Sequence, residues 1–256
     1  MLNEVIFMLM HSILIIGQSN MAGRGRRDEV DPIVNPKLSV LRNGRWRNMY
    51  IPVNPDRVTS GVCLVESFAD LYSKAHGDVA TGIIPCADGG SSIDMWTVGG
   101  LLFDHACYQA ELASRTSTIA AVLWHQGESD CDPNLYPFYE KKLETIFDAF
   151  RKRLNLYDVP FIVGGLGDFM KTYFKNENYL EINSALEHYA STHSMTGFAS
   201  AEGLGSNPDN LHFSAAALRE FGERYYDVFS RIEDKNKVFE EKSSPDEAIR
   251  TGLEAL

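Results

Sequence analysis

The chain has 256 residues, which is enough for one α/β domain with a large buried core. Its formal net charge of −11 argues against a nucleic-acid-binding protein, because such proteins contact phosphates through a basic surface. The apolar share of 44% and the charged share of 23% are ordinary for a soluble globular protein, and no apolar stretch reaches the roughly 20 residues of a membrane helix.

The apolar start of the chain lacks the features of a signal peptide. Residues 1–16 have no cationic beginning, carry Glu4 early, and show no small-residue cleavage motif before Gly17. We therefore expect a cytoplasmic location. The four cysteines form no C-x-x-C pair, so we expect free thiols and neither disulfides nor a metal site.

Short apolar runs alternate with amphipathic stretches, which predicts a parallel sheet with helices on both faces. The predicted strands cover residues 12–16, 79–85, 118–124, 160–164 and 197–201. The predicted helices cover residues 62–75, 101–115, 134–154, 178–192 and 214–232, with Ser60 as the N-cap of the first. We expect one domain over residues 1–232 and a polar tail or extra helix over 233–256.

One long connection has little periodicity. Residues 24–60 are rich in Pro, Asn and Arg, and a connection of this length in a compact domain is usually a lid or a pocket wall. Arg24, Arg26 and Arg27 follow the first predicted strand closely, and two interpretations are open for them: they line a polar, sugar-accepting pocket, or they are simply solvated.

Polar residues and glycines follow three of the predicted strands. The segments are Gly-Gln-Ser-Asn at 17–20, Asp-Gly-Gly-Ser-Ser at 88–92, and His-Gln-Gly-Glu-Ser-Asp at 125–130. Because ligands bind at the carboxyl ends of parallel strands, we expect these segments to gather at one edge of the sheet. A fourth polar segment, residues 209–212, precedes the last helix and can reach the same edge.

Ser19, Asp209 and His212 have the residue types of a nucleophilic triad. A serine after a strand is, taken alone, more often a helix cap than a nucleophile. Here a carboxylate three residues before a histidine can accept its Nδ1 proton, which leaves Nε2 free to deprotonate a serine. The order Ser, Asp, His also matches one of the known triad orders.

Acyl transfer also needs hydrogen-bond donors for an oxyanion. The Ser19 N–H and the backbone at Gly89 and Gly90 can supply two of them, and the side-chain amide of Gln126 can supply a third. His125 and Glu128 are expected to orient the site, since no second histidine lies at helical spacing for a metal.

Taken together, these motifs resemble the SGNH hydrolases, and within them the sialate O-acetylesterase / carbohydrate esterase family 6 group, which includes acetylxylan esterases. The resemblance runs over residues 12–232 and implies a flavodoxin-like three-layer αβα sandwich with a central parallel sheet. It implies metal- and cofactor-independent removal of acetyl groups from carbohydrates, with Ser19 as nucleophile, His212 as base and Asp209 as the residue that orients it. Gly90 and Gln126 would then join the Ser19 N–H as oxyanion donors.

The third motif departs from the usual SGNH pattern, because Gln126-Gly127-Glu128 stands where most members carry Asn. Glu128 is therefore an alternative to Asp209 as the triad acid. The residues expected to contact an acetylated sugar are Gln18, Asn20, Arg24, Trp96, His125 and Glu128. Core packing is an equal alternative for Trp96.

Two other functions stay open from the sequence. One is an SGNH lipase or thioesterase for longer acyl chains, which the polar 24–60 segment disfavours. The other is a non-catalytic carbohydrate-binding protein on the same scaffold. The acetylated sugar and the oligomeric state do not follow from the sequence.

Overall fold

The computed structural model describes residues 10–233; the rest of the predicted tail and residues 1–9 lie outside the described residues. Seven strands form one sheet in the order β3-β2-β4-β1-β5-β6-β7. Their bounds are β1 Met10–Gly17, β2 Leu38–Arg42, β3 Arg45–Asn48, β4 Ala80–Pro85, β5 Thr118–His125, β6 Phe161–Gly164 and β7 Thr196–Ala199. All neighbouring strands are parallel except β2 and β3, which form an antiparallel hairpin at one edge.

The helices cover both faces of this sheet. Their bounds are α1 Ser19–Ala22, α2 Val65–Ala75, α3 Leu101–Ala113, α4 Tyr139–Leu154, α5 Met170–Phe174, α6 Tyr179–Thr192 and α7 Ala215–Ile232. One core packs α3, α4 and α6 against the sheet, and a second packs α2 and α7 against the opposite face. Residues 13–16 of β1 and 119–124 of β5 are all apolar, because both faces of these strands are buried.

The three-layer sandwich and the five predicted strands are therefore confirmed, with ends that differ by at most two residues. The β2–β3 hairpin was missed inside the 24–60 segment. Its turn, Asn43-Gly44, has positive φ at both residues (49° and 73°), as a two-residue hairpin requires. Ser60 was wrongly assigned as a helix cap: α2 begins at Val65, and the Ser60 hydroxyl donates to Asp56 instead.

Strand β1 lies between β4 and β5, so the three polar segments meet at one edge, as expected. Gly17 makes the close approach possible, since a Cβ at this residue would lie 2.1 Å from the carbonyl oxygen of His125. Its φ of 134° also suits only glycine. Within residues 10–233, no helix combines the length and the apolarity that crossing a membrane requires.

Candidate active site

Ser19 lies at the end of the central strand, where β1 turns directly into the short helix α1. The residue is 7% exposed, and its hydroxyl lies at the wall of a cavity of about 770 Å³. The Gln18 N–H donates to the carbonyl of His125, which fixes the backbone just before Ser19. The serine is thus held rigidly with its hydroxyl accessible from one side.

Three side chains form a continuous hydrogen-bonded chain at this point. Ser19 Oγ lies 3.0 Å from His212 Nε2, and His212 Nδ1 lies 2.7 Å from Asp209 Oδ2. Partial burial would raise the pKa of Asp209, but hydrogen bonds from the His212 backbone and ring and from the Leu211 N–H outweigh it and hold the pKa below its ordinary value. A carboxylate therefore faces the imidazole, and Nε2 is directed at the serine.

Asn20 fixes the loop that carries His212, a role that the sequence did not indicate. Its Nδ2 donates to the carbonyl of Leu211, and its Oδ1 accepts from the N–H of Phe213. The two bonds hold the backbone on both sides of His212. The same Nδ2 donates to Glu128 Oε1, so one buried side chain joins the nucleophile turn, the β5 loop and the histidine loop.

Glu128 lies beside the hydrogen-bonded side chains of Ser19, His212 and Asp209 but is not hydrogen-bonded to any of them. Its Oε1 accepts from Asn20 and from His125 Nε2, and within residues 10–233 it has no hydrogen bond to His212. Burial alone would raise the pKa of Glu128, but His125 and the Asn20 amide bring it below the ordinary value. A negative charge therefore lies next to the site, while Asp209 is the carboxylate that is hydrogen-bonded to His212.

Two backbone amides are available to an oxyanion. In the described part of the chain, neither the Ser19 N–H nor the Gly90 N–H donates to a protein acceptor, and both residues line the cavity. Gly90 has a φ of 79°, which glycine adopts without strain. The Gly89-Gly90 segment is fixed by Asp56, because the Gly89 N–H donates to Asp56 Oδ2 at 2.8 Å.

Arg24 supports this segment and is not a free cation. Its two terminal nitrogens donate to the two carboxylate oxygens of Asp56 at 3.0 and 2.7 Å, and one also donates to the carbonyl of Gly23. The side chains of the pair are only 7% and 4% exposed. Arg24 lines the cavity, but its charge is balanced by Asp56.

Gln126 does not lie where a third oxyanion donor is needed. It is fully buried, and its Nε2 donates to Gln18 Oε1, the Ser91 carbonyl and Asp130 Oδ2 at 3.1, 3.1 and 2.6 Å. Both amide hydrogens are engaged by these acceptors. Gln126 thus ties the three strand-end segments together, and the expectation of a direct contact with substrate is not met.

Two other residues expected at the substrate are part of the core. The Trp96 ring is fully buried against Trp124, and its Nε1 donates to Ser91 Oγ, so no ring face is open to a sugar. His125 is equally buried, between the rings of Phe213 and Phe221. The expected sugar contact is wrong for both residues, and for Trp96 the alternative of core packing is the one that the structure shows.

The cavity thus brings together only part of the predicted set. Gln18, Ser19, Arg24, Gly90, Glu128 and His212 line it. Asp209 lies behind His212, and Asn20 lies behind the nucleophile turn. In residues 10–233, no group of three or more His, Cys, Asp or Glu side chains is arranged to hold a metal ion.

Comparisons with known proteins show the family of this chain. The family model described as carbohydrate esterase, sialic acid-specific acetylesterase matches residues 10–231. A probable carbohydrate esterase of Arabidopsis thaliana is 29% identical over 234 residues, which are 82% of this chain and 86% of the plant protein.

Solved structures show the same architecture. The X-ray structure of that Arabidopsis thaliana protein superposes with a TM-score of 0.79 at 25% identity, covering 86% of this chain and 98% of the other. A carbohydrate acetylesterase from Xanthomonas citri has a TM-score of 0.68 at 18% identity, covering 86% of this chain and 56% of the other. At that identity, the second likeness concerns the fold alone.

Proposed function

Since this chain belongs to the carbohydrate esterase, sialic acid-specific acetylesterase family, it is a carboxylic ester hydrolase, and we propose that it removes O-acetyl groups from a carbohydrate through an acetyl-Ser19 intermediate. The observation that supports this mechanism is the hydrogen-bonded chain from Ser19 through His212 to Asp209, with distances of 3.0 and 2.7 Å. These three hydrogen-bonded side chains lie at a cavity that is large enough for a sugar.

In the first half-reaction, His212 Nε2 accepts the Ser19 hydroxyl proton as Oγ attacks the acetyl carbonyl carbon. The carbonyl π electrons move to the oxygen, where the Ser19 and Gly90 N–H groups donate to the developing charge. Asp209 stabilises the imidazolium and keeps its Nε2 directed at the reaction. The C–O bond to the sugar then breaks, and the proton on His212 passes to the sugar oxygen.

In the second half-reaction, water replaces the sugar. His212 takes a proton from the water, the resulting hydroxide attacks the acetyl-serine carbonyl, and the same two N–H groups stabilise the second oxyanion. Collapse returns the proton to Ser19 Oγ and releases acetate. No additional group is required by this sequence of steps.

Glu128 and Asn20 act as positioning residues in this proposal. Asn20 fixes the backbone on both sides of His212, and Glu128 accepts the Asn20 and His125 donors that would otherwise be buried without partners. Neither side chain transfers a proton to or from the substrate.

Acetate release measured on a panel of acetylated sugars tests the proposal directly. The wild-type protein should release acetate, whereas Ser19→Ala should not do so above background while keeping the wild-type melting temperature. Activity retained in Ser19→Ala would exclude the acetyl-Ser19 intermediate. Faster hydrolysis of p-nitrophenyl octanoate than of p-nitrophenyl acetate would favour the lipase alternative.

A further inference from the structure

The cavity extends beyond the triad to a rim made by two loops. On one side lie Asp132 and Pro133, after β5; on the other lie Tyr173, Phe174, Asn176 and Asn178, in and after α5. We call these six residues the outer wall. Asn178 Nδ2 donates to the carbonyl of Cys131 at 3.1 Å, so the two sides are tied together and form one surface.

Tyr173 is the aromatic residue of this wall with the most open ring. Its side chain is 48% exposed, and its ring packs edge-on against Phe174 with centroids 4.8 Å apart, which limits its movement. An exposed aromatic ring at a cavity rim offers a negative π face to the positively polarised C–H groups of a sugar. Tyr173 therefore has the exposure that the buried Trp96 lacks.

The charges along the cavity favour an uncharged ligand. Its lining includes the carboxylates of Glu128 and Asp132, whereas the Arg24 guanidinium is already paired with Asp56. A carboxylate or phosphate on the substrate would approach two like charges and meet no unpaired cation among the described lining residues. Outside the lining, Arg57 is paired with Asp88 in the same way.

Polar groups on the wall suit sugar hydroxyls instead. Asp132 Oδ1 accepts two hydrogen bonds from Asn134, and among residues 10–233 no donor reaches its Oδ2. Asn178 uses its Nδ2 on Cys131, which leaves its carbonyl oxygen as an acceptor. Hydroxyl donors match both positions without adding charge.

We propose that the substrate is a neutral acetylated sugar whose ring packs on Tyr173 while its acetyl group lies at Ser19. This inference rests on the esterase function proposed above and narrows its substrate class. It distinguishes this chain from an esterase that selects acetylated sialic acid, whose carboxylate would need a cation at the cavity.

The test compares three substrates on the full chain: a mono-acetylated neutral xyloside, O-acetylated sialic acid, and ethyl acetate, which has no ring. Tyr173→Ala should raise KM for the xyloside by about three- to tenfold, with kcat changed less than about twofold, because one aromatic contact is lost. Hydrolysis of ethyl acetate should stay at the wild-type rate. Tyr173→Phe should retain the wild-type KM.

Tyr157 provides a matched control, since it is 58% exposed and lies away from the cavity; Tyr157→Ala should change none of the three reactions.

Wild-type kcat/KM should be at least about tenfold higher for the xyloside than for the acetylated sialic acid, as expected for a substrate carboxylate near two like charges. Equal or reversed preference, or an unchanged xyloside KM in Tyr173→Ala, would overturn this proposal. Failure of the esterase mechanism proposed above is a separate outcome. It would appear as ethyl acetate hydrolysis at the same rate in Ser19→Ala as in the wild-type protein.

Discussion

The two ends of the cavity are built differently. At the inner end, Ser19, His212 and Gly90 are held by buried partners: Asn20 fixes the histidine loop, and Asp56 fixes the glycine loop. At the outer wall, Tyr173 on the short helix α5 and Asp132 on the loop after β5 are exposed. In the proposed mechanism this difference separates chemistry from selection: the inner end fixes the reaction geometry, and the outer wall selects which acetylated alcohol binds.

If this division holds, changes at the inner end should lower kcat for every acetyl ester, including one without a sugar. Changes at the outer wall should affect only substrates with a ring. The following variants test the division, from the largest expected effect to the smallest.

Ser19→Ala should reduce kcat by about 10⁴-fold or more for both the xyloside and ethyl acetate, because the nucleophile is removed. Ser191→Ala is the matched control, since Ser191 lies on α6 outside the cavity lining and its hydroxyl donates to the His188 carbonyl; its kcat should stay close to wild type. Comparable losses in both variants would mean that the serine at the end of β1 has no special role. Steady-state kinetics with a melting curve for each variant decides this.

Asp209→Asn and Glu128→Gln, measured side by side, identify the acid behind His212. We expect a loss in kcat of about 10³-fold for Asp209→Asn, because an amide cannot hold the required imidazole tautomer. Glu128→Gln should cost about tenfold, since Glu128 touches Asn20 and His125 but not His212. A larger loss for Glu128→Gln than for Asp209→Asn would reverse the assignment.

Asn20→Ala should lower kcat by about 30-fold on both substrates with little change in KM, because the backbone around His212 loses its two anchors. The free energy of unfolding should fall by about 2 kcal/mol, since Glu128 and the Phe213 N–H lose buried partners. Urea denaturation and kinetics on the same preparation check both numbers. An unchanged kcat together with lower stability would restrict Asn20 to a structural role.

Asp56→Asn should have the smallest effect on catalysis of this group, about threefold in kcat, through the position of the Gly89-Gly90 segment. Its effect on stability should be larger, about 3 kcal/mol, because Arg24 would remain buried without a balancing charge. Asp28→Asn is the control, as Asp28 pairs with Arg26 on an exposed surface. Equal stability losses for the two variants would contradict the burial argument.

Most of the inner end of the cavity could be predicted from the sequence, whereas the outer wall could not. Ser19, Gly90 and His212 follow or precede regular elements, so the rule that parallel strands end at one edge brings them together. The roles of Asn20 and Gln126 depend on which buried acceptors surround each amide, and spacing along the chain carries no information on that. Asn20 and Gln126 are both amides in polar strand-end segments. Asn20 is hydrogen-bonded to the loop that carries His212, whereas Gln126 donates to buried structural acceptors such as Asp130.

Two other differences have local causes. The β2–β3 hairpin was missed because its strands have only five and four residues and β3 has a single apolar side chain, although the Asn43-Gly44 pair is a recognisable turn signal. Tyr173 was not singled out because it lies on a short helix of five residues with no periodic pattern to mark it.

Covalent labelling with a fluorophosphonate, followed by peptide mapping, tests the central claim most directly. A serine activated by His212 should react with the reagent at one site, so we expect a single adduct on the peptide that contains Ser19, absent from Ser19→Ala and strongly reduced in His212→Ala. An adduct on another serine, or labelling that persists unchanged in His212→Ala, would contradict the account.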